Sequence, residues 1–251
     1  MMEQNKNQYN KYHFKKTEYA ISFLQCMALC LLMNYLFYQI VWLNLLVFPL
    51  YVGFINVKRK QRIKKRRKDL NYQFKDALNS MNVAIQAGYS VENAIAVCFR
   101  DLSQIYPENA DILQELRYME ARRRMSVPIE ELFLDFADRC RIEDVQNFAS
   151  VFMVAKRTGG DMGLVFQKVS RMLTDKIEVN KEIEATLASK KWEQIVMTTM
   201  PVGIILYMKL SSPGFLDILY GNAIGIGAMT ICLVIYLTAI WMGNKIVDIE
   251  V

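Results

Sequence analysis

The sequence predicts an all-α membrane protein in which two transmembrane helical hairpins flank a cytoplasmic six-helix bundle. Three observations lead there. Of the 251 residues 53% are hydrophobic, but only eleven are glycine and five proline, too few turn formers for a strand-rich fold of this length. Long uncharged runs stand near both ends of the chain. Between them, apolar residues recur at the helical period.

Residues 19–57 contain no Asp, Glu, Lys, Arg or His in 39 positions. As one helix this stretch would run ~58 Å, twice the ~30 Å of a bilayer's hydrocarbon core, so two short spans joined by a turn fit it better. The turn is expected at 34–39, with Tyr35, Tyr38 and Trp42 at the interface. A signal peptide is opposed by the length and by the lack of a small-residue cleavage site. Residues 194–208 and 218–244 repeat the pattern on either side of an SSPGF turn at 211–215, with Lys209 placed to snorkel.

Basic residues orient the hairpins. Lys58, Arg59, Lys60, Arg62, Lys64, Lys65, Arg66, Arg67 and Lys68 put nine positive charges into eleven residues directly after the second span, which marks that end as cytoplasmic. Lys6, Lys11, Lys15 and Lys16 before the first span, Lys190 and Lys191 before the third, and Lys245 after the fourth agree. Both termini and the central domain are therefore expected inside a cell membrane crossed four times. The resulting domain reading is a tail at 1–18, a hairpin at 19–57, a basic juxtamembrane linker at 58–73, a helical domain at 74–193, a second hairpin at 194–244 and a tail at 245–251.

The net charge of +6 is no nucleic-acid footprint, because the basic run supplies +9 and the rest of the chain nets −3. That run reads as a topology determinant lying on anionic lipid head groups, with an acidic partner as the other reading. The five cysteines form no C-x-x-C pair, and reduced, packed thiols are expected for Cys26, Cys30, Cys98, Cys140 and Cys232.

Six amphipathic stripes mark the central helices. The first is Phe74, Ala77, Leu78, Met81 and Ile85; the second Val91, Ala94, Ile95, Cys98 and Leu102; the third Ile112, Leu116 and Met119. Ile129, Leu132, Phe133 and Phe136 form the fourth, Val145, Phe148, Ala149 and Phe152 the fifth, and Val165, Phe166, Val169 and Leu173 the sixth. Gly88 is expected to end the first helix in a left-handed conformation, with Ser90 capping the next. Pro107 separates the second and third helices, and Ser126 with Pro128 opens the fourth. Gly159, Gly160 and Asp161 repeat the stop-and-cap arrangement. A shift of 71 residues maps Gly88 onto Gly159, Ser90 onto Asp161, and the second stripe onto Met162, Val165, Phe166, Val169 and Leu173. An internal duplication and plain helical spacing both account for the match.

The sixth helix is expected to continue through residues 174–191, which lack Gly and Pro. Its thin apolar stripe of Ile177, Ile183 and Leu187 suits a stalk leading into the third span, or a passive connector.

Little in the chain suggests catalysis. His13 is the lone histidine, which excludes His-rich metal sites and a Ser-His-Asp triad. No G-x-x-x-x-G-K-[ST] occurs, so a P-loop ATPase is excluded. The spans hold no central Asp or Glu, and Gly221, Gly225 and Gly227 suit close helix approach instead. Glu130, Glu131, Asp135 and Asp138 make an acidic face on the fourth helix, followed by Glu143 and Asp144. Arg122, Arg123 and Arg124 either pair with that face or contribute to a surface that docks a partner.

FKDALNSMNVAIQAGYSVENAI (74–95), DFADRCRIEDVQNFASVFMVAKRTGGDM (135–162) and KEIEATLASKKWEQIVMTTMP (181–201) resemble the type II secretion system F domain family. Within it the likeness is to the TadB-like group of tight-adherence (Flp-type) pilus platform proteins, over residues 70–245. The resemblance implies a non-enzymatic inner-membrane platform placed between a cytoplasmic secretion ATPase and pilin subunits, passing ATPase movements to fibre assembly. Larger relatives carry two F domains, so a TadC-like second platform protein and a homo- or hetero-oligomer are implied beside this single copy. Some relatives hold a cation in the bundle, but its ligands find no residue-by-residue match here. No cofactor is implied. On this basis Gly88, Ser90, Gly159, Gly160 and Asp161 shape the bundle, and the faces around Arg122, Arg123, Arg124, Glu131 and Asp135 are candidates for ATPase contact. The competing classes are a four-span transporter or channel with a cytoplasmic regulatory domain, and a membrane-tethered enzyme.

Overall fold

The computed structural model describes residues 21–25, 27, 28, 31, 47–212, 214 and 223–247. From Val47 onward the described helices follow in order: α1 (Val47–Gln86), α2 (Val91–Ile105), α3 (Asp111–Arg123), α4 (Ile129–Cys140), α5 (Glu143–Arg157), α6 (Met162–Ser211) and α7 (Ala223–Val247). Among the described residues there is no strand. The N-terminal tail with His13, the turn at 34–39 with its aromatic residues, Cys26, Cys30, Gly221 and residues 248–251 lie outside the described residues.

The described residues divide into two compact units. Arg59–Val179 form one; those up to Lys58 and from Asn180 onward form the other.

The first unit is organised around one apolar core to which α1 through α6 all contribute. Its centre is aromatic. Phe148 of α5 meets Phe74 of α1 at 5.6 Å, Phe133 of α4 at 5.0 Å and Phe166 of α6 at 5.2 Å between ring centroids. Phe152 adds contacts to Phe133 at 5.1 Å and Phe166 at 5.8 Å. These largely edge-on pairings set the negative face of one ring against the positive edge of the next. The residues involved are those of the predicted stripes, fully buried in most cases.

The helix ends show how the chain reverses. After α1, Gly88 takes φ +91°, its N–H bonds the Ile85 carbonyl at 2.9 Å and the Tyr89 N–H reaches Ala84 at 3.1 Å. That double closure is a Schellman stop. Ser90 then accepts from the Asn93 N–H at 3.3 Å and opens α2. After α5, Gly159 has φ +68° and the Gly160 N–H bonds Ala155 at 2.8 Å, while Asp161 Oδ1 accepts from Leu164 at 3.2 Å to open α6. The turns at 88–90 and 159–161 thus use the same means, as their sequence correspondence suggested.

Three expectations are corrected. Residues 58–73 are not a linker but continuous α1 helix, with Leu70 fully buried in the core. The charge run hid a stripe that begins one turn before Phe74. Ser126 does not open α4. It stands at φ +61° as the left-handed stop after α3, with its N–H on Arg123 and the Val127 N–H on Arg122, and Pro128 occupies the cap position before Ile129. The compact unit also ends at Val179 instead of 193, because Ile177 is the last α6 residue buried in its core.

In the second unit, helical residues 21–25 meet α1: Lys58 Nζ donates to Gln25 Oε1 at 2.7 Å and Ser22 Oγ at 3.3 Å, and Phe23 packs edge-on against Tyr51 at 5.2 Å. Among the described residues two helices, α6 and α7, are long and apolar enough to cross a membrane. They touch where the Tyr236 hydroxyl donates to the Thr198 carbonyl at 2.6 Å and where Gly243 lies beside Gln194. Cys232 of α7 is exposed, unlike the packed thiol expected there.

Candidate functional site

The sites singled out in the sequence fall into three groups that differ in their surroundings. The first is the arginine triplet at the end of α3. Arg123 forms two hydrogen bonds to Glu120, at 2.9 and 2.8 Å, and Arg124 reaches the same carboxylate at 3.4 Å. Arg122 donates to its own helix's Tyr118 hydroxyl at 3.0 Å and lies over that ring. The triplet therefore pairs within α3 and not with the α4 acidic face, because i,i+3 and i,i+4 neighbours on one helix are already in reach. These bonds hold the Glu120 carboxyl below its ordinary value, Arg123 contributing most.

The second group, the acidic face of α4, does not act as one cluster. Glu131 and Asp138 are exposed to solvent. Asp135 bonds Arg139 at 3.2 Å, and Glu130 lies 3.3 Å from Lys156 of α5. Lys156 also bonds Glu92 of α2 at 3.0 Å, so one ammonium joins three helices. Asp144 accepts from Asn71 of α1 at 2.8 Å and from Lys176 of α6 at 2.7 Å. No group of three or more metal-ligating side chains occurs among the described residues.

Sequence reasoning missed the strongest electrostatic feature. Glu115 of α3 and Arg139 of α4 form a fork-to-fork pair with two bonds of 2.6 Å, at side-chain exposures of only 2% and 5%. Arg139 also lies 4.7 Å from the centre of the Tyr118 ring. Planar guanidinium chemistry suits this threefold use, which a lysine could not supply. The missed signal was Glu115 itself, sitting inside the Ile112–Leu116–Met119 stripe.

The third group is the basic run. It lies along α1, where Arg59, Lys60, Arg62, Lys64 and Lys65 are exposed and Lys58, Arg66, Arg67 and Lys68 are half-buried. Arg66 is drawn into a two-bond pair with Asp111, at 2.7 and 2.6 Å, at the start of α3. An anion at a helix N-terminus is favourable in itself, so this arginine ties down a carboxylate the α3 helix already holds. Lys68 lies over the Tyr72 ring at 5.7 Å. The run is thus divided between solvent and intramolecular contacts.

The apolar stretches complete the inventory. Along α6, Trp192, Ile195, Val196, Met197, Met200, Ile204, Tyr207 and Leu210 are exposed, and along α7 so are Ile231, Val234, Ile235, Leu237, Trp241 and Met242. Three threonine hydroxyls along these helices are satisfied within their own helix, Thr199 on Ile195 at 2.8 Å, Thr230 on Ile226 at 2.7 Å and Thr238 on Ile235 at 2.8 Å. Exposed apolar surface of this extent is unfavourable in water, whereas internal satisfaction of polar groups is what hydrocarbon demands. No family model, curated protein or solved structure matches the chain.

Proposed function

We propose that the chain is a multi-pass inner-membrane platform protein of a type IV (Tad/Flp-type) pilus or type II-like secretion machine, coupling a cytoplasmic secretion ATPase to pilin assembly. The observation that carries this reading is α6. Phe166, Ser170, Leu173 and Ile177 of this helix are buried in the helical unit, and the same unbroken helix ends in a stretch apolar enough to cross a membrane. A movement imposed on the helical unit has in α6 a covalent, helical route toward lipid. The matching turns at Gly88–Ser90 and Gly159–Asp161 support the resemblance to the F domain on which the reading also rests.

In this reading the exposed part of the basic run meets anionic lipid on the cytoplasmic side, where each positive charge near the surface contributes about 1 kcal/mol of attraction. Both termini and the helical unit face the cytoplasm, with four spans in two hairpins. The ATPase approaches the helical unit, and Arg122, Arg124 and Glu131 are the exposed charges offered for that contact. A TadC-like second platform protein and pilin subunits complete the assembly.

Co-purification from detergent-solubilised membranes tests the proposal. A tagged chain is expected to recover a hexameric secretion ATPase and a second platform protein. Recovery of the chain alone, together with pilus assembly that survives its deletion, would overturn the reading and favour a four-span transporter. Reporter fusions that place residues 70–190 outside the cell would overturn the orientation.

A further inference from the structure

Helix α1 carries two adjacent stripes. The apolar one (Leu70, Phe74, Leu78, Met81) lies in the core. The other is polar, made of Asn71, Asn79 and Asn82; Asn79 bonds Ser170 of α6 and Asn71 bonds Asp144 of α5. Three contacts set α1 and α6 antiparallel. The Ser170 hydroxyl donates to Asn79 Oδ1. Gly163 lies by Ile85, whose Cγ2 would be 3.6 Å from a Cβ built there. Asn71 and Lys176 share the Asp144 carboxylate, at 2.8 and 2.7 Å. This register places Asn82 between the Asn79–Ser170 and Ile85–Gly163 contacts.

The seam is incompletely satisfied. Oδ1 of Asn71 and Oδ1 of Asn82, on half-buried side chains, are both buried with no donor from the protein. A buried acceptor lacking a donor favours any state in which water reaches it, by roughly tenfold for each such atom. α6 is otherwise held by apolar contact, Phe166 lying 5.2 and 5.8 Å from Phe148 and Phe152 of α5 and Leu173 and Ile177 being buried in the core.

We infer that the α1–α6 seam is a built-in opening: residues 162–179 part from α1 along the asparagine stripe, hinging on Phe166 against α5, while the core of α1–α5 stays closed. This device belongs to the helical unit itself and does not rest on the proposed function. Local opening of one element below the global unfolding free energy is the expected behaviour where the seam holding it is partly unsatisfied.

Hydrogen exchange read by mass spectrometry on the full chain in detergent micelles tests it. Amides of 162–179 are expected to exchange faster than those of α2–α5. Asn82→Leu, which removes the unpaired acceptor, is expected to slow them roughly tenfold and leave α2–α5 unchanged. A variant that slows all helices equally, or none, overturns the inference. The pair Asn79→Cys with Ser170→Cys supplies an independent arm. Its disulfide is expected to bring exchange of 162–179 down to the rate of α2–α5, with reduction restoring the difference, and oxidised protein that still exchanges quickly there also overturns it.

Discussion

Glu115 and Arg139 face each other across α3 and α4 with two hydrogen bonds of 2.6 Å, at a depth that solvent does not reach. A pair so placed contributes little net stability when intact, since both ions have left water, but removing one partner strands a buried charge. Glu115→Ala or Arg139→Ala is therefore expected to cost about 3–5 kcal/mol. The double replacement Glu115→Leu with Arg139→Met should recover most of that loss, because neither charge then remains. Urea denaturation followed by circular dichroism measures all three, and additive losses would contradict a coupled pair.

Two helix stops are strained by their side chains. Ser126 and Arg141 adopt left-handed backbone conformations at φ +61° and +52°, which cost an L-residue about 1–2 kcal/mol. Ser126→Gly and Arg141→Gly are each expected to raise stability by about 1 kcal/mol. Gly88→Ala and Gly159→Ala should lower it by about the same amount through backbone strain alone, since a Cβ at either position meets nothing within 4 Å. Melting temperatures of the four variants check both signs, and a neutral Gly88→Ala would remove the argument for a required glycine.

The pH dependence has a direction on each side of neutrality. Hydrogen bonds from Arg123 first hold the Glu120 pKa below its ordinary 4.5, so its contribution is present above that value and lost as pH falls through the lowered one. Lys176 is raised above its ordinary 10.5, chiefly by its hydrogen bond to Asp144, so its contribution is present below that value and lost as pH rises through the raised one. Urea midpoints are expected to be level between these limits and to fall beyond both. Glu120→Gln should lessen the acid limb, which Glu92 shares, and Lys176→Met the alkaline limb, which Lys156 shares, each leaving the other limb unchanged.

Most of the helical unit was legible because burial leaves a periodic trace. The stripes that include Phe74, Ile95, Phe133, Phe148 and Phe166 are buried core. Gly88 and Gly159 were legible because left-handed backbone favours glycine. Ser126 and Arg141 carry no such mark, so nothing in residue type distinguished them from ordinary loop positions. Leu70 was hidden because the charges around it overwhelm one apolar residue in any window, although it stands four places before Phe74. The Glu115–Arg139 pair joins positions 24 residues apart, beyond the reach of helical spacing. Arg123 and Arg124 could pair with the α4 acidic face or serve a docking surface by sequence alone, and Glu120, three and four places earlier, takes both.

Thiol chemistry separates the two units in one experiment. Burial pushes the Cys98 thiol up to about 12 and Cys140 up to about 11, so neither offers appreciable thiolate at neutral pH. Both are expected to resist maleimide until the helical unit unfolds. Cys232 is exposed on α7, so with Cys26 and Cys30 replaced by serine it should label readily in denaturant. In intact membranes the same side chain would lie in hydrocarbon, which a polar maleimide cannot enter. Rapid labelling of Cys232 by an impermeant maleimide in sealed vesicles would place α7 in water and remove the bilayer from the account of its apolar surface.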